Sequence, residues 1–283
     1  MLAALTDREW MWAAGGLYLL GLILGTTSLI KGGKPSGLLI YIVILVGYAL
    51  QLMGLGLRGK VVGGCPLGNS FEIFQFTAWS AISLYLVIGV TFRSSLLGYF
   101  TSCLAAALTL SSLLIPEFDA TRRAHIFGNN PWIEFHAAIA LFSYGVFALL
   151  ALTSALYLLR LYSLKSKKIG GWFSFLPSAI DLDQIGLRLL ISGVLILALS
   201  LIVGSVYWSH DFQSVSRFKL IVTCSVWLAY LVALLLRLRG ILIAKRFGWT
   251  GILLFAAALI SLWPVDSSRH TAPQTTPTHQ AHP

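Results

Sequence analysis

The chain has 283 residues, of which 57% are hydrophobic and only 11% charged, with a mean hydropathy of +0.83. That balance excludes a soluble globular domain and a large extramembrane domain, and it points to the helical membrane class. Twenty Lys and Arg against ten Asp and Glu give a net charge of +10, and the distribution of those charges, worked out below, argues against a nucleic-acid partner.

About eight apolar stretches of near 20 residues predict eight transmembrane helices, over 10–30, 37–57, 73–92, 96–115, 137–160, 187–208, 218–236 and 247–265. A bilayer core needs roughly 20 apolar residues per helical span. Lipid offers the backbone no hydrogen-bond partners, so each span is expected to be a helix. Asp7, Arg8 and Glu9 precede the first stretch and no small-residue cleavage site follows it, which is unlike a cleaved signal. Gln51 lies inside the second span, where a polar side chain is expected to hydrogen-bond to another helix. Glu72 opens the third span, where a carboxylate complements the helix dipole. A long segment, 165–186, separates spans five and six, with a helix start near Pro177 and Ser178. Residues 1–265 read as one transmembrane domain. Residues 266–283, polar and proline-containing, read as a disordered tail. Cys65, Cys103 and Cys224 form no CxxC pair, so no disulfide framework is expected.

Lys and Arg concentrate on the cytoplasmic side of membrane proteins. With the N-terminus outside, twelve of the twenty basic residues fall on the inner face with only Asp181 and Asp183, whereas eight basic residues balance eight acids outside. The basic excess is therefore a topology signal. On this orientation all six histidines, His125, His136, His210, His270, His279 and His282, lie on the outer side. None falls in the middle of a span, which favours a shallow outer site over a proton relay.

His136 is the sharpest of them. It stands in NNPWIEFH at the mouth of span five, where Pro131 and Trp132 anchor the helix start. Trp132, His136, Ala140, Ser143 and Tyr144 share a helical face. An imidazole with apolar walls and an acceptor for its second nitrogen suits a haem iron. The competing reading is an interfacial histidine bonded to a loop carbonyl. Arg122, Arg123, Arg217 and Lys219 would suit haem propionates, or would balance Glu117, Asp119 and Asp211. His210 and Asp211, in YWSHDF, form a weaker metal candidate. The sequence contains no phosphate-binding Gly loop, GxSxG, HExxH or CxxCH. The scattered acids argue against paired-carboxylate catalysis, so no enzyme is expected. A transporter is disfavoured by the lack of inverted repeats and of mid-span charge.

Longer strings carry a family resemblance. PWIEFHAAIALFSYGVFALLALTSALYLLRLYSLKSKK, then LPSAIDLDQIGLRLLISGVLILALSLIVGSVYW, and upstream PLGNSFEIFQFTAWS, resemble the cytochrome c assembly family of CcsA-, HemX- and YpjD-like membrane proteins over roughly residues 45–265. The resemblance implies haem handling in cytochrome c biogenesis, with haem b as the cofactor. It makes His136 an axial ligand, and Trp132, Tyr144, Arg122 and Arg123, singled out above from the residue pattern, would then line the haem. His270 falls near a second outward histidine of the family, after the last span. The resemblance also implies a second membrane subunit, apocytochrome c as a partner, and the bacterial cytoplasmic (inner) membrane as the location. Two features depart from the family pattern. The loop WSHDFQSVSRFK lacks the tryptophan-rich WxWD core. Gln51, and Leu235 or Leu236, stand where two mid-membrane histidines are expected. The alternative is thus a scaffold or regulatory protein of the same fold that binds no haem.

Overall fold

A computed structural model describes residues 5–31, 37–91, 95–121, 131–167, 176, 178–208 and 217–267, the side chains at 29, 88–91, 95–97, 207–208, 217–219 and 262–267 excepted. The described residues form eight α-helices: α1 (Asp7–Ile30), α2 (Gly37–Val62), α3 (Ser70–Thr91), α4 (Ser95–Leu114), α5 (Pro131–Lys165), α6 (Ala179–Trp208), α7 (Arg217–Leu238) and α8 (Ala244–Ser267). A 3₁₀ turn, Pro116–Asp119, follows α4. No strand occurs among the described residues.

The helix ends follow local chemistry. Thr6 and Glu9 form a reciprocal capping box at α1, with the Thr6 N–H donating to Glu9 Oε2 at 2.6 Å and the Glu9 N–H to Thr6 Oγ1 at 3.3 Å. Asn69 Oδ1 accepts the Glu72 N–H at 2.9 Å, and Ser178 Oγ accepts the Asp181 N–H at 3.1 Å. Pro131 opens α5, where its missing N–H costs no helical bond. Gly63 ends α2 with φ +69°, and the Gly64 N–H reaches back to the Gly59 carbonyl at 3.0 Å.

Six helices, α1, α2, α5, α6, α7 and α8, are long and apolar enough to cross a membrane. Of the other two, α4 is apolar over Gly98–Leu114. In α3, Glu72, Gln75, Thr77 and Ser80 are all turned inward and buried. The interior is largely apolar with polar side chains turned into it, and the exterior is apolar too. Gln51, Gln75, Thr109 and Ser112 are fully buried, whereas Ile30, Leu38, Val87, Ile180 and Ile260 are among the most exposed side chains. Lipid accepts that apolar exterior, and the interior must satisfy every polar group. The chain is a polytopic, all-helical membrane protein.

Several boundaries differ from the expected spans, most of all in α2, α5 and α6. α2 runs to Val62, past the expected end at 57, which places Arg58 inside a helix and not in an outward loop. α5 and α6 begin at Pro131 and Ala179, ahead of the expected 137 and 187. Hydrophobicity marks the part of a helix that lies in lipid, whereas its hydrogen bonds and caps carry it further.

α1 packs on α2 and α4, and α3 on α4 and α2. α5 is central, lying against α3, α6 and α8, and α7 joins α6 to α8. The antiparallel succession brings the starts of α1, α3 and α5 to the same end as the finishes of α2, α4, α6 and α8. At the opposite end Arg237 pairs with Asp183, donates to the Leu242 carbonyl at 3.1 Å and lies 4.8 Å over the Phe247 ring, tying α6, α7 and α8 together.

Candidate functional site

His136 sits in the second turn of α5, half-buried between α5 and α6. Its Nδ1 lies 2.7 Å from the Ser200 carbonyl oxygen. A carbonyl only accepts, so Nδ1 carries the hydrogen and the lone pair of the neutral ring resides on Nε2. The Ser200 hydroxyl is 3.1 Å from the same Nδ1 and donates to the His136 carbonyl at 2.9 Å. Ser200 is fully buried. The acceptor that sequence reasoning placed in a loop is thus the main chain of α6. Metal-ligating histidines usually commit their other ring N–H to a carbonyl or carboxylate, so the donor chemistry here suits an iron porphyrin.

The other residues singled out in the sequence are distributed as follows. Trp132 is 64% exposed, one turn before His136, at the rim. Tyr144, two turns further into the bundle, is buried. Ser143 is buried and donates to the carbonyl of Ala140, its own helix, at 2.6 Å. The face of α5 therefore runs from exposed to buried, with His136 on the gradient between. Arg122, Arg123, His210, Asp211 and His270 lie outside the described residues, as does the tail from 268. Gln51 is an interhelical node, as its place in span two suggests. Its Oε1 accepts from Tyr18 at 2.9 Å, and its Nε2 donates to Gln75 Oε1 at 2.7 Å and to Thr109 Oγ1 at 3.3 Å. Gln75 Nε2 donates onward to Ser112 at 2.9 Å. Leu235 is half-exposed on the outer surface of the bundle. Among the described residues no group of three or more His, Cys, Asp or Glu side chains converges on a point suited to a metal ion.

Sequence reasoning missed a charged cluster at the same end of the molecule. Arg58 is fully buried and meets three carboxylates: Glu72 at 2.8 Å, Asp7 at 2.8 Å, and Asp119. Arg8 pairs with Asp119 at 2.8 Å and donates to the Leu113 carbonyl at 3.1 Å. Asn69 donates to Asp119 at 3.2 Å and to the Thr121 carbonyl at 2.9 Å. The Phe71 ring faces both guanidinium groups, at 5.3 Å and 5.2 Å. Acids that look scattered in the chain thus converge on one cation. Asp119, expected opposite the basic residues of the 116–136 segment, serves Arg8, Arg58 and Asn69. The one usable sequence signal was the recurrence of charges at the ends of four consecutive helices.

The segment joining α2 to α3 links this cluster to α5. The Gly68 N–H donates to Glu72 Oε2 at 2.6 Å. Gly64 carries the Glu134 carboxylate so closely that a Cβ there would lie 2.4 Å from its Oε1. Burial, with the Glu134 and Glu72 carboxylates nearby, pushes the Cys65 thiol up to about 11. That setting disfavours the thiolate.

Comparison with known proteins joins these observations. Residues 67–271 match the family model for the cytochrome c assembly protein. The chain is 27% identical over 198 residues to the protein HemX of Bacillus subtilis, covering 69% of this chain and 70% of that one. It is 28% identical to the protein NrfI of Wolinella succinogenes over 78% of this chain but 23% of that longer protein. It is 25% identical to the cytochrome c biogenesis protein CcsA of Cyanidium caldarium over 42% of this chain and 41% of that one. The matched stretch contains α3 through α8, with His136 and Ser200 inside it, and this chain belongs to the cytochrome c assembly protein family.

Proposed function

We propose that the protein handles haem at the outer face of the bacterial cytoplasmic membrane during cytochrome c biogenesis, by binding and not by turnover. His136 Nε2 is the axial donor, held in its ligating tautomer by the Ser200 carbonyl at 2.7 Å. That bond, within the family-matched stretch, is the observation that carries the reading. Trp132 and Tyr144 bracket the donor along α5, and Arg122, Arg123 and His270 belong to the segments that would approach propionates and the second axial position. Haem b is the cargo, and it supplies the iron that the apocytochrome needs. The orientation with the N-terminus outside puts His136 on the side where apocytochrome c is presented. A second membrane subunit of a maturation complex fits that role.

The test is direct. After haem-replete growth, detergent-purified protein is expected to show a Soret band and stoichiometric haem by pyridine haemochrome, and His136→Ala to lose most of both. Equal haem in wild type and variant would remove the axial assignment.

A second reading is favoured by two observations. Gln51 is consumed in a closed amide network, and Leu235 faces outward, so neither position resembles a ligand within the membrane. A scaffold or regulatory protein of this fold would have those features, and it would purify colourless.

A further inference from the structure

Ser200 is inconspicuous in the sequence, one small polar residue in an apolar helix that would ordinarily serve close packing. In the structure it grips residue 136 twice. Its carbonyl oxygen takes the ring N–H at 2.7 Å, and its hydroxyl donates to the His136 main-chain carbonyl at 2.9 Å while lying 3.1 Å from Nδ1. The hydroxyl hydrogen is committed to a carbonyl, so the Ser200 oxygen offers Nδ1–H a lone pair. The ring N–H is thereby shared between two acceptors on one fully buried residue. Both the backbone and the imidazole of residue 136 are referenced to a single point on α6, which restricts rotation of the ring about its side-chain bonds.

Resting on the haem reading above, we infer that Ser200 is the positioning residue of this site: its hydroxyl fixes the direction of His136 Nε2 and raises its donor strength. A second acceptor on Nδ1–H draws the imidazole toward imidazolate character, which favours ferric over ferrous iron. The main-chain carbonyl survives any substitution at 200, so the hydroxyl's share is separable. Ser200→Ala deletes it, and Ser200→Thr restores it with one added methyl.

The experiment measures haem affinity by titrating hemin into haem-depleted, detergent-purified protein, and the reduction potential of the loaded protein, for wild type, His136→Ala, Ser200→Ala and Ser200→Thr. Outer-sphere partners of metal ligands are typically worth 10- to 100-fold in affinity. Ser200→Ala is expected to bind ferric haem about ten-fold more weakly with ferrous affinity unchanged, which raises the potential by about 59 mV for a one-electron couple. Ser200→Thr is expected to behave as wild type in both. A haem-binding wild type with unchanged affinity and potential in Ser200→Ala overturns the inference and leaves the haem reading standing. Equal losses in Ser200→Ala and Ser200→Thr also overturn it, because the residue then acts through packing alone. A wild type that takes up no hemin refutes the haem reading and the inference with it.

Discussion

Replacing Arg58 with methionine removes the one cation shared by three carboxylates while keeping the length of the apolar stem. Arg58 bonds Glu72 and Asp7 at 2.8 Å each and pairs with Asp119 as well. Glu72 and Asp119 are 1% and 4% exposed, so neither recovers solvation when the guanidinium is lost. Removing one partner of a buried ion pair costs about 3–5 kcal/mol, because a buried charge is left uncompensated. Arg8 still reaches Asp119 at 2.8 Å, which limits the damage there and leaves Glu72 as the main orphan. Each kcal/mol moves the melting midpoint of a chain of about 150–250 residues by about 2–4 °C, an upper bound for one of 283 residues. Arg58→Met is therefore expected to melt up to about 20 °C lower, followed by tryptophan fluorescence in detergent. Adding Glu72→Gln neutralises the orphan and should return part of the loss, giving a coupling energy in a double-mutant cycle. A midpoint within about 2 °C of wild type, or purely additive effects of the two substitutions, would refute the claim that this cluster holds α1–α4 together.

Two other predictions concern the helix contacts and the thiol. A Cβ at Gly145 would lie 1.7 Å from Ser80 Oγ and 2.8 Å from the Thr77 carbonyl, so Gly145→Ala should force α3 from α5 and lower the melting midpoint sharply. Ser80→Ala should not rescue it, because Ser80 Cβ and the Thr77 carbonyl stay at 2.8 Å, whereas Gly16→Ala and Gly56→Ala, with nothing within 4 Å, should be neutral. The reasoning fails if all three glycine variants melt alike. In a Cys103→Ser, Cys224→Ser background, alkylation of Cys65 should follow a thiolate that forms near pH 11, about a hundred-fold less of it at pH 8 than for a thiol titrating two units lower. The raised value means that the folded state disfavours the thiolate. Cys65 therefore costs nothing below the ordinary thiol range and destabilises the fold as pH rises from that range toward 11. Half-maximal alkylation near pH 9 would contradict the buried, acid-flanked placement.

What the sequence made legible was the set of features whose cause is local. Apolar runs located the spans, Ser178 located the start of α6, and a glutamine in lipid required a partner. The loop carbonyl proposed for His136 turned out to be a helix carbonyl 64 residues away, on Ser200. The Arg58 cluster was illegible for the same reason. Its pairs join residues 14, 51 and 61 apart, each of which looks locally like a helix-end or interfacial charge. Such pairs become visible only when the antiparallel packing of four helices brings their ends together. Arg58 was also hidden by its own helix, since a hydropathy window ends a span at the first charge whether or not that charge is buried.

The cluster bears on what the folding unit is. The family match begins at residue 67, which leaves α1 and α2 outside it. Yet Glu72 and Asp119, inside the match, find their cations on Arg58 of α2 and Arg8 of α1. Gln75 of α3 likewise accepts from Gln51 of α2, which Tyr18 of α1 holds from the other side. A chain cut to the matched residues would lose the cations of Glu72 and Asp119 and the Gln51 partner of Gln75, and is expected to be less stable than the full chain. Gly64, just past the end of α2, also meets Glu134 in the first turn of α5, two residues ahead of His136. The first two helices are thus tied to the matched ones by buried charges and amides, even though the family match begins after them.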